Sequence, residues 1–243
     1  MSGTVRPAFY ALAPGGWRDY VTLLHPPYTL WHLSYVAVGA SLAPHFSPAI
    51  LGLALLAFFL GMGVAAHALD ELHGRPLETR IGRGTLLALA AASLTGAAGI
   101  GVGVAVHTSL WLLAFVAAGV FIAVAYNLEL FGGRFHGDLW FALAWGAFPV
   151  LATYVAAAET IRVEALLAAV FAALLSHAQR RLSTPVRLVR RRATSVSGSI
   201  ELSDGVSLAI TRETLTGEAE RALRALAACV VALALALVLL RVT

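Results

Sequence analysis

The stretch PAILGLALLAFFLGMGVAAHALDELHGRP, residues 48–76, decides the fold class. Residues 48–66 carry no charged side chain, and a helix of roughly 20 apolar residues crosses the hydrocarbon core of a bilayer. The stretch then turns polar at His67, Asp70 and Glu71, whose spacing of i, i+3 and i+4 places them on one helix face. It therefore predicts a transmembrane helix that ends in a polar group.

The rest of the chain has the same apolar character. Of its 243 residues, 59% are hydrophobic and 12% are charged, whereas soluble domains carry about 25% charged residues. We predict an all-α, polytopic transmembrane bundle of about seven helices. We expect the lipid bilayer as partner and no nucleic acid, because the basic residues lie between apolar spans. The predicted spans are 28–43, 48–69, 84–106, 109–131, 139–158, 163–179 and 222–240.

The distribution of arginine predicts the orientation of the chain. All 17 basic residues are arginines; fifteen lie on one side of the predicted spans and only Arg162 and Arg241 on the other. Loops rich in basic residues stay in the cytoplasm. We therefore expect a cytoplasmic N-terminus and a C-terminus outside.

This pattern divides the chain into four parts. They are a cytoplasmic N-terminal segment (1–27), a six-helix membrane bundle (28–179), an arginine-rich cytoplasmic loop (180–220) and a C-terminal transmembrane helix (221–243).

The loop 180–220 contains a hairpin signal. Aliphatic and polar residues alternate on both sides of Asp204-Gly205, which predicts a small β-hairpin lying against the membrane bundle. After it, we expect Thr216 to cap the last helix, with Glu218 and Glu220 in the first turn.

The group His67, Asp70 and Glu71 has two interpretations. One imidazole and two carboxylates can hold a divalent metal ion, alone or bridged to a phosphate. The alternative is a polar helix end wetted by interfacial water. Because ionisable residues at membrane depth usually mark function, we favour a site. We expect spans one to six to surround a cavity that opens to the cytoplasm and has these residues in its wall.

A second polar group follows span four: Tyr126, Asn127, Glu129, Arg134 and His136. Glu129 lies near membrane depth, and Arg134 and His136 suit an anion. The alternative is a glycine-rich turn at the membrane interface.

A third group ends span six and includes His177, Arg180 and Arg181. His177 could face His67 across the bundle, and the two arginines could hold phosphate oxygens. We interpret the arginine-rich run 187–192 as an interfacial anchor that orients the chain.

Five segments between about residues 20 and 190 follow one family pattern in order. HPPYTL (25–30) is similar to an opening R-P-x-T-L, and GAFPVLATY (146–154) to G-x-x-P-V-x-x-x-Y. STPV (183–186) is similar to T-L-x-V, span two ends where the pattern has N-D-x-x-D-x-x-x-D, and span four ends in Tyr126. Together they resemble the UbiA superfamily of intramembrane prenyltransferases.

The resemblance implies a nine-helix bundle that binds an isoprenoid diphosphate through Mg²⁺ held by two aspartate motifs. Such enzymes transfer the prenyl chain to an acceptor, often an aromatic one. This chain departs at both motifs. In the best register Ala66, His67 and Gly74 replace an Asn and two Asp, and only Asp70 matches. Residues 176–181 contain Ser, His, Gln and Arg where the second motif has Asp.

We therefore expect a divergent UbiA-like enzyme that acts on an isoprenoid or lipid diphosphate by prenyl transfer. Asp70, Glu71 and His67 are the expected catalytic residues, and His177 joins them as a metal ligand. The metal is Mg²⁺ or, because imidazole nitrogen suits softer ions, a transition metal. The residues expected to bind substrate are Arg75, Asn127, Glu129, Arg134, His136 and Arg180.

Two other functions remain open at this point. The first is a metal-dependent lipid oxidase or hydrolase whose metal is held by His67, Asp70 and His177. The second is a lipid-binding membrane subunit without catalytic activity.

Overall fold

The computed structural model describes residues 6–243; residues 1–5 of the expected N-terminal segment lie outside this range. Eight helices and one two-stranded sheet make up most of the described part. The helices are α1 (Trp17–Leu23), α2 (Pro26–Leu42), α3 (Pro48–Leu72), α4 (Arg83–His107), α5 (Leu112–Asn127), α6 (Asp138–Ala158), α7 (Val163–Arg192) and α8 (Arg212–Val242). The strands are β1 (Ser199–Glu201) and β2 (Ser207–Ala209).

Five helices are long and apolar enough to cross a membrane: α3, α4, α6, α7 and α8. They confirm the prediction of a helical chain with several candidate spans, as in a multi-pass membrane protein. The helices α2 and α5 have 17 and 16 residues, which is short of the roughly 20 that a full crossing needs. Five of the seven predicted spans are therefore confirmed as long enough to cross a membrane.

The helix α2 lies in the middle of the bundle and packs on α6 and α8. Its Trp31 and Tyr35 are fully buried and belong to one core cluster with Val150 of α6, Ala172 of α7 and Val230 of α8. The indole N–H of Trp31 donates to the Tyr35 hydroxyl at 2.6 Å. This bond satisfies a polar group that would be costly to bury alone.

Two glycines let these helices approach closely. A Cβ atom at Gly39 would lie 2.4 Å from the carbonyl oxygen of Val150, and one at Gly146 would lie 2.5 Å from that of Ala172. Both distances are far inside van der Waals contact. Small residues at such crossings are typical of helix packing in membranes.

The helices α3 and α6 each contain a π-helical segment, Phe59–Ala66 in α3 and Ala142–Ala147 in α6. The two segments meet where Met62 of α3 packs in one cluster with Trp145 of α6. Such segments are frequent at functional sites. Here the segment in α3 directly precedes His67.

The helix α7 continues past Pro185 to Arg192 instead of ending near residue 179 as predicted. Its 30 residues give a length of about 45 Å. Gln179 at the predicted end, and Ser183 and Val186 beyond it, are buried. This packing stabilises the helix where the proline removes one hydrogen bond. The arginines of this stretch therefore lie on a helix rather than in a loop.

The helix α8 also begins earlier than predicted. Its cap is Thr211, which forms a capping box with Thr214. The predicted cap, Thr216, lies inside the helix and donates to the carbonyl of Arg212. Glu220 is buried and paired with Arg190, so it joins α8 to α7 instead of serving the first turn.

The predicted hairpin is present. The strands β1 and β2 pair antiparallel, with Ile200 opposite Leu208, around a turn at Asp204 and Gly205. All six strand residues are exposed, so within the described residues the hairpin stands free and does not lie against the bundle as predicted.

Candidate functional site

A polar cluster lies where α3, α5 and α7 end. Asp70, near the end of α3, is half-buried and interacts electrostatically with Arg187 and Arg191 of α7 and with His136 in the loop after α5. Tyr126, near the end of α5, interacts with both Asp70 and Arg187. The fold thus brings members of the first and second polar groups within electrostatic range of the arginine-rich end of α7.

Arg187 and Arg191 lie four residues apart on α7 and therefore share one helix face. Arg187 donates to the Thr184 hydroxyl at 3.1 Å, and Arg191 donates to the carbonyl of Pro7 at 3.3 Å. Within residues 6–243 neither is part of an ion pair at 4.0 Å or less.

This pair was not predicted from the sequence, because the run 187–192 was interpreted as an interfacial anchor. The signal that identifies it is helical spacing: Arg180, Thr184, Arg187 and Arg191 recur at intervals of three and four. That spacing places them on one helix face only if the helix extends beyond residue 179, as the structure shows.

His67 of α3 packs against His25, which precedes α2. The two rings are stacked, with centroids 4.0 Å apart and planes inclined by 10°. His67 Nδ1 donates to the carbonyl of Gly63 at 3.0 Å, which leaves Nε2 as the lone-pair nitrogen of a neutral ring. His25 Nδ1 lies 2.8 Å from the Tyr10 hydroxyl. His25 Nε2 is buried and has no hydrogen-bond partner among the described residues.

Burial and charge keep this histidine neutral. The pKa of His25 is well below its usual range because the ring is buried, and the nearby His67, Arg191 and Arg187 disfavour a further positive charge. Burial also raises the pKa of the Tyr10 hydroxyl, which stays protonated. The segment that carries Tyr10 thus covers one side of the polar cluster with neutral groups.

Arg180 holds α7 against α5 and α6. Its Nε donates to Asp138 at 2.6 Å, and its other nitrogens donate to the hydroxyl of Tyr126 and the carbonyl of His136. His136 in turn packs on Tyr126 with ring centroids 4.4 Å apart. We predicted Arg180 and His136 as substrate-binding residues. The structure places both beside the cluster, with Arg180 already bonded to protein groups.

Glu71 and Arg75 build the loop after α3. The Glu71 carboxylate is fully buried and accepts from the backbone N–H groups of Leu77 and Thr79 and from the Thr79 hydroxyl, at 2.8–3.0 Å. Arg75 donates to the carbonyls of Thr79 and Ile81. These bonds occupy the oxygens of Glu71 and give it a role in holding the loop; its catalytic role stays a prediction.

The remaining predicted substrate-binding residues are Asn127, Glu129 and Arg134. Asn127 is buried and donates to the carbonyl of Ala123 at 2.7 Å. Glu129 is exposed, 3.9 Å from both His73 and His136. Arg134 is exposed. The Asn127 amide is therefore used within its own helix.

The predicted metal ligands do not come together. Of the four, His67 and Asp70 lie at the cluster, Glu71 is bonded to its loop, and His177 is exposed. Within residues 6–243 no three His, Cys, Asp or Glu side chains are grouped closely enough to hold a metal ion. Asp70 also lies within electrostatic range of Arg187 and Arg191, and two cations repel a divalent metal. The donor set does not fit the Mg²⁺ of the UbiA pattern.

An apolar cavity of about 120 Å³ lies between α3, α4, α5 and α6. Carbon atoms form nearly all of its lining, with Phe58, Leu94 and Phe148 among its residues. Met62 and Trp145 also line it, and both pack in one cluster with Tyr126. The apolar cavity and the polar cluster are therefore neighbours that share a wall.

Comparisons of this chain with protein-family models, with curated proteins and with solved structures found no match.

Proposed function

We propose that the protein is a membrane enzyme that binds an isoprenoid diphosphate and transfers its prenyl chain, as the resemblance to the UbiA superfamily implies. The observation that carries the proposal is the wall of Met62, Trp145 and Tyr126, which separates the apolar cavity from the polar cluster. A ligand with an apolar chain and an anionic head needs these two surroundings side by side.

The chemistry of prenyl transfer fits this arrangement. The bond between the allylic carbon and the diphosphate oxygen breaks, and the electron pair leaves with the diphosphate. An acceptor nucleophile then bonds to that carbon and releases a proton. The leaving diphosphate gains negative charge, which the fixed charges of Arg187 and Arg191 stabilise at the polar cluster.

His67 is the residue that takes the proton released by the acceptor in this proposal. Its Nδ1 hydrogen bond to Gly63 leaves Nε2 as a proton acceptor. Asp70 is one helical turn further along α3 and is the second candidate for this role. In the proposed topology the N-terminus and the polar cluster face the cytoplasm, because the arginine-rich segments lie on that side.

The experiment uses the full chain in lipid nanodiscs with radiolabelled farnesyl and geranylgeranyl diphosphate and a set of phenolic and quinone acceptors. The proposal expects release of inorganic diphosphate and transfer of label to an acceptor. Ala97→Phe, which fills the apolar cavity, should reduce turnover by about tenfold or more. Ala92→Phe is the matched control, because Ala92 lies exposed on the same helix.

The non-catalytic lipid-binding subunit is the second candidate function. It is favoured because two of the predicted metal donors lie elsewhere. Glu71 is hydrogen-bonded to its loop, and His177 is exposed. Saturable binding of the labelled diphosphates that Ala97→Phe abolishes, without release of inorganic diphosphate, would support this candidate and exclude the enzyme.

A further inference from the structure

The polar cluster contains more arginine than its neighbours neutralise. Arg180 is paired with Asp138 and Arg190 with Glu220. Arg187 and Arg191 are bonded only to a hydroxyl and a carbonyl within the described residues. Two guanidinium groups on one helix face thus remain available to an anion at the end of α7.

Guanidinium groups suit a diphosphate in a way that a metal-binding carboxylate does not. Each presents a planar fork of N–H donors that can bond two phosphate oxygens at once. Arg187 and Arg191 interact electrostatically with each other, so an anion placed between them relieves their mutual repulsion. Asp70 is a carboxylate within electrostatic range of both arginines, and its charge balances part of theirs when no ligand is bound.

We infer that Arg187 and Arg191 bind the diphosphate of the substrate directly, without a divalent metal between protein and phosphate. The inference rests on the proposed function for the identity of the ligand. The recognition of a diphosphate by the two arginines does not depend on that function. Asp70 then competes with the diphosphate for the same two arginines. In a metal-bridged site, Asp70 would instead hold the metal that holds the diphosphate.

These two arrangements predict opposite effects of one substitution. If the arginines bind the anion directly, Asp70→Asn removes a competing negative charge and tightens binding. If a metal bridges Asp70 to the anion, Asp70→Asn removes a ligand and weakens binding. The Asp and Asn side chains have nearly the same size. Whether the affinity rises or falls therefore reports the effect of removing the negative charge.

The test is calorimetric titration of the purified full chain with inorganic diphosphate, in EDTA and in excess Mg²⁺. The inference expects binding in EDTA, tightened several-fold by Asp70→Asn. It expects Arg187→Gln and Arg191→Gln each to weaken binding by about tenfold or more, since a charge-assisted hydrogen bond contributes about 1.5–3 kcal/mol. Arg192→Gln is the control, because Arg192 is exposed at the end of the same helix.

Binding that requires Mg²⁺, or that Asp70→Asn weakens, would overturn the inference and leave prenyl transfer standing. Binding in EDTA that is lost in the arginine variants, in a protein that does not turn over prenyl diphosphates, would support the inference and overturn the proposed enzyme. Arg187→Lys and Arg191→Lys keep the charge while removing the fork. Thermal melts of every variant show whether a lost signal reflects a lost fold.

Discussion

The imidazole rings of His25 and His67 are stacked, with centroids 4.0 Å apart and planes inclined by 10°. The stack joins the turn before α2 to the end of α3, beside Asp70. A proton on the buried His25 ring would lie near the positive charges of Arg191 and Arg187. Folding therefore favours a neutral His25, which links the stability of this region to pH.

Acidification should destabilise the protein through His25. Its pKa in the folded chain is lowered by burial and then by His67, Arg191, Arg187 and His32. Below about pH 6.5 the unfolded chain gains a proton that the folded chain does not, so stability present above that pH is lost as pH falls. The loss is at most about 1.4 kcal/mol per pH unit.

Thermal melts in detergent between pH 8 and pH 5 measure this effect. The melting temperature of the wild type should fall more steeply with acid than that of His25→Gln. His107→Gln serves as control, because His107 is exposed and should keep the wild-type slope. Equal slopes for all three proteins would show that the His25 ring does not set the dependence.

The contact between α6 and α7 should not tolerate a side chain at Gly146. A Cβ atom there would lie 2.5 Å from the carbonyl oxygen of Ala172, so Gly146→Ala must push two backbones apart. We expect a loss of about 1–3 kcal/mol in unfolding free energy. Gly99→Ala is the control, since nothing lies within 4 Å of its added Cβ. Unfolding in mixed micelles compares the two, and a neutral Gly146→Ala would contradict this packing.

Glu71 should stabilise the folded protein whether or not a metal is present. Glu71→Ala leaves three donors of the loop 77–79 without their acceptor, and we expect a loss on the order of 3 kcal/mol. Glu78→Ala, at an exposed position of the same loop, should have little effect. Melting curves with EDTA and with Mg²⁺ should be alike. A loss that appears only with Mg²⁺ would restore Glu71 as a metal ligand.

The proposed orientation can be tested with single cysteines. In a Cys229→Ser background, His45→Cys should react only with a thiol reagent added outside, and Ile200→Cys only after the membrane is opened. Both positions are exposed and stand on opposite sides of the predicted topology. Reaction of both from the same side would refute it.

The sequence predicted the helical class because long apolar runs have few other uses. It predicted the hairpin because Asp204-Gly205 fits a tight turn between alternating strands. It did not predict the end of α7, since Pro185 and the arginines suggested a loop, whereas burial of Ser183 and Val186 maintains the helix. Helix ends of this kind depend on partners far away in sequence.

The candidate site was predicted only in part, because it also depends on contacts between residues far apart in sequence. The group at His67 and Asp70 was visible because charged residues interrupt an apolar run. The different surroundings of Glu71 and Asp70 were not predicted. The carboxylate of Glu71 bonds to the backbone of the loop that follows, and the sequence does not show where that loop lies. The pairing of Arg187 and Arg191 on one helix face needed the extended helix, which brings both within electrostatic range of Asp70.

The most direct test of the central claim is a density map of the full chain in nanodiscs with geranylgeranyl thiodiphosphate, a slowly reacting analogue. The account predicts diphosphate density between Arg187 and Arg191 and chain density in the apolar cavity beside Phe148, passing the wall of Met62 and Trp145. Density for the head group elsewhere, or for the chain outside that cavity, would contradict it.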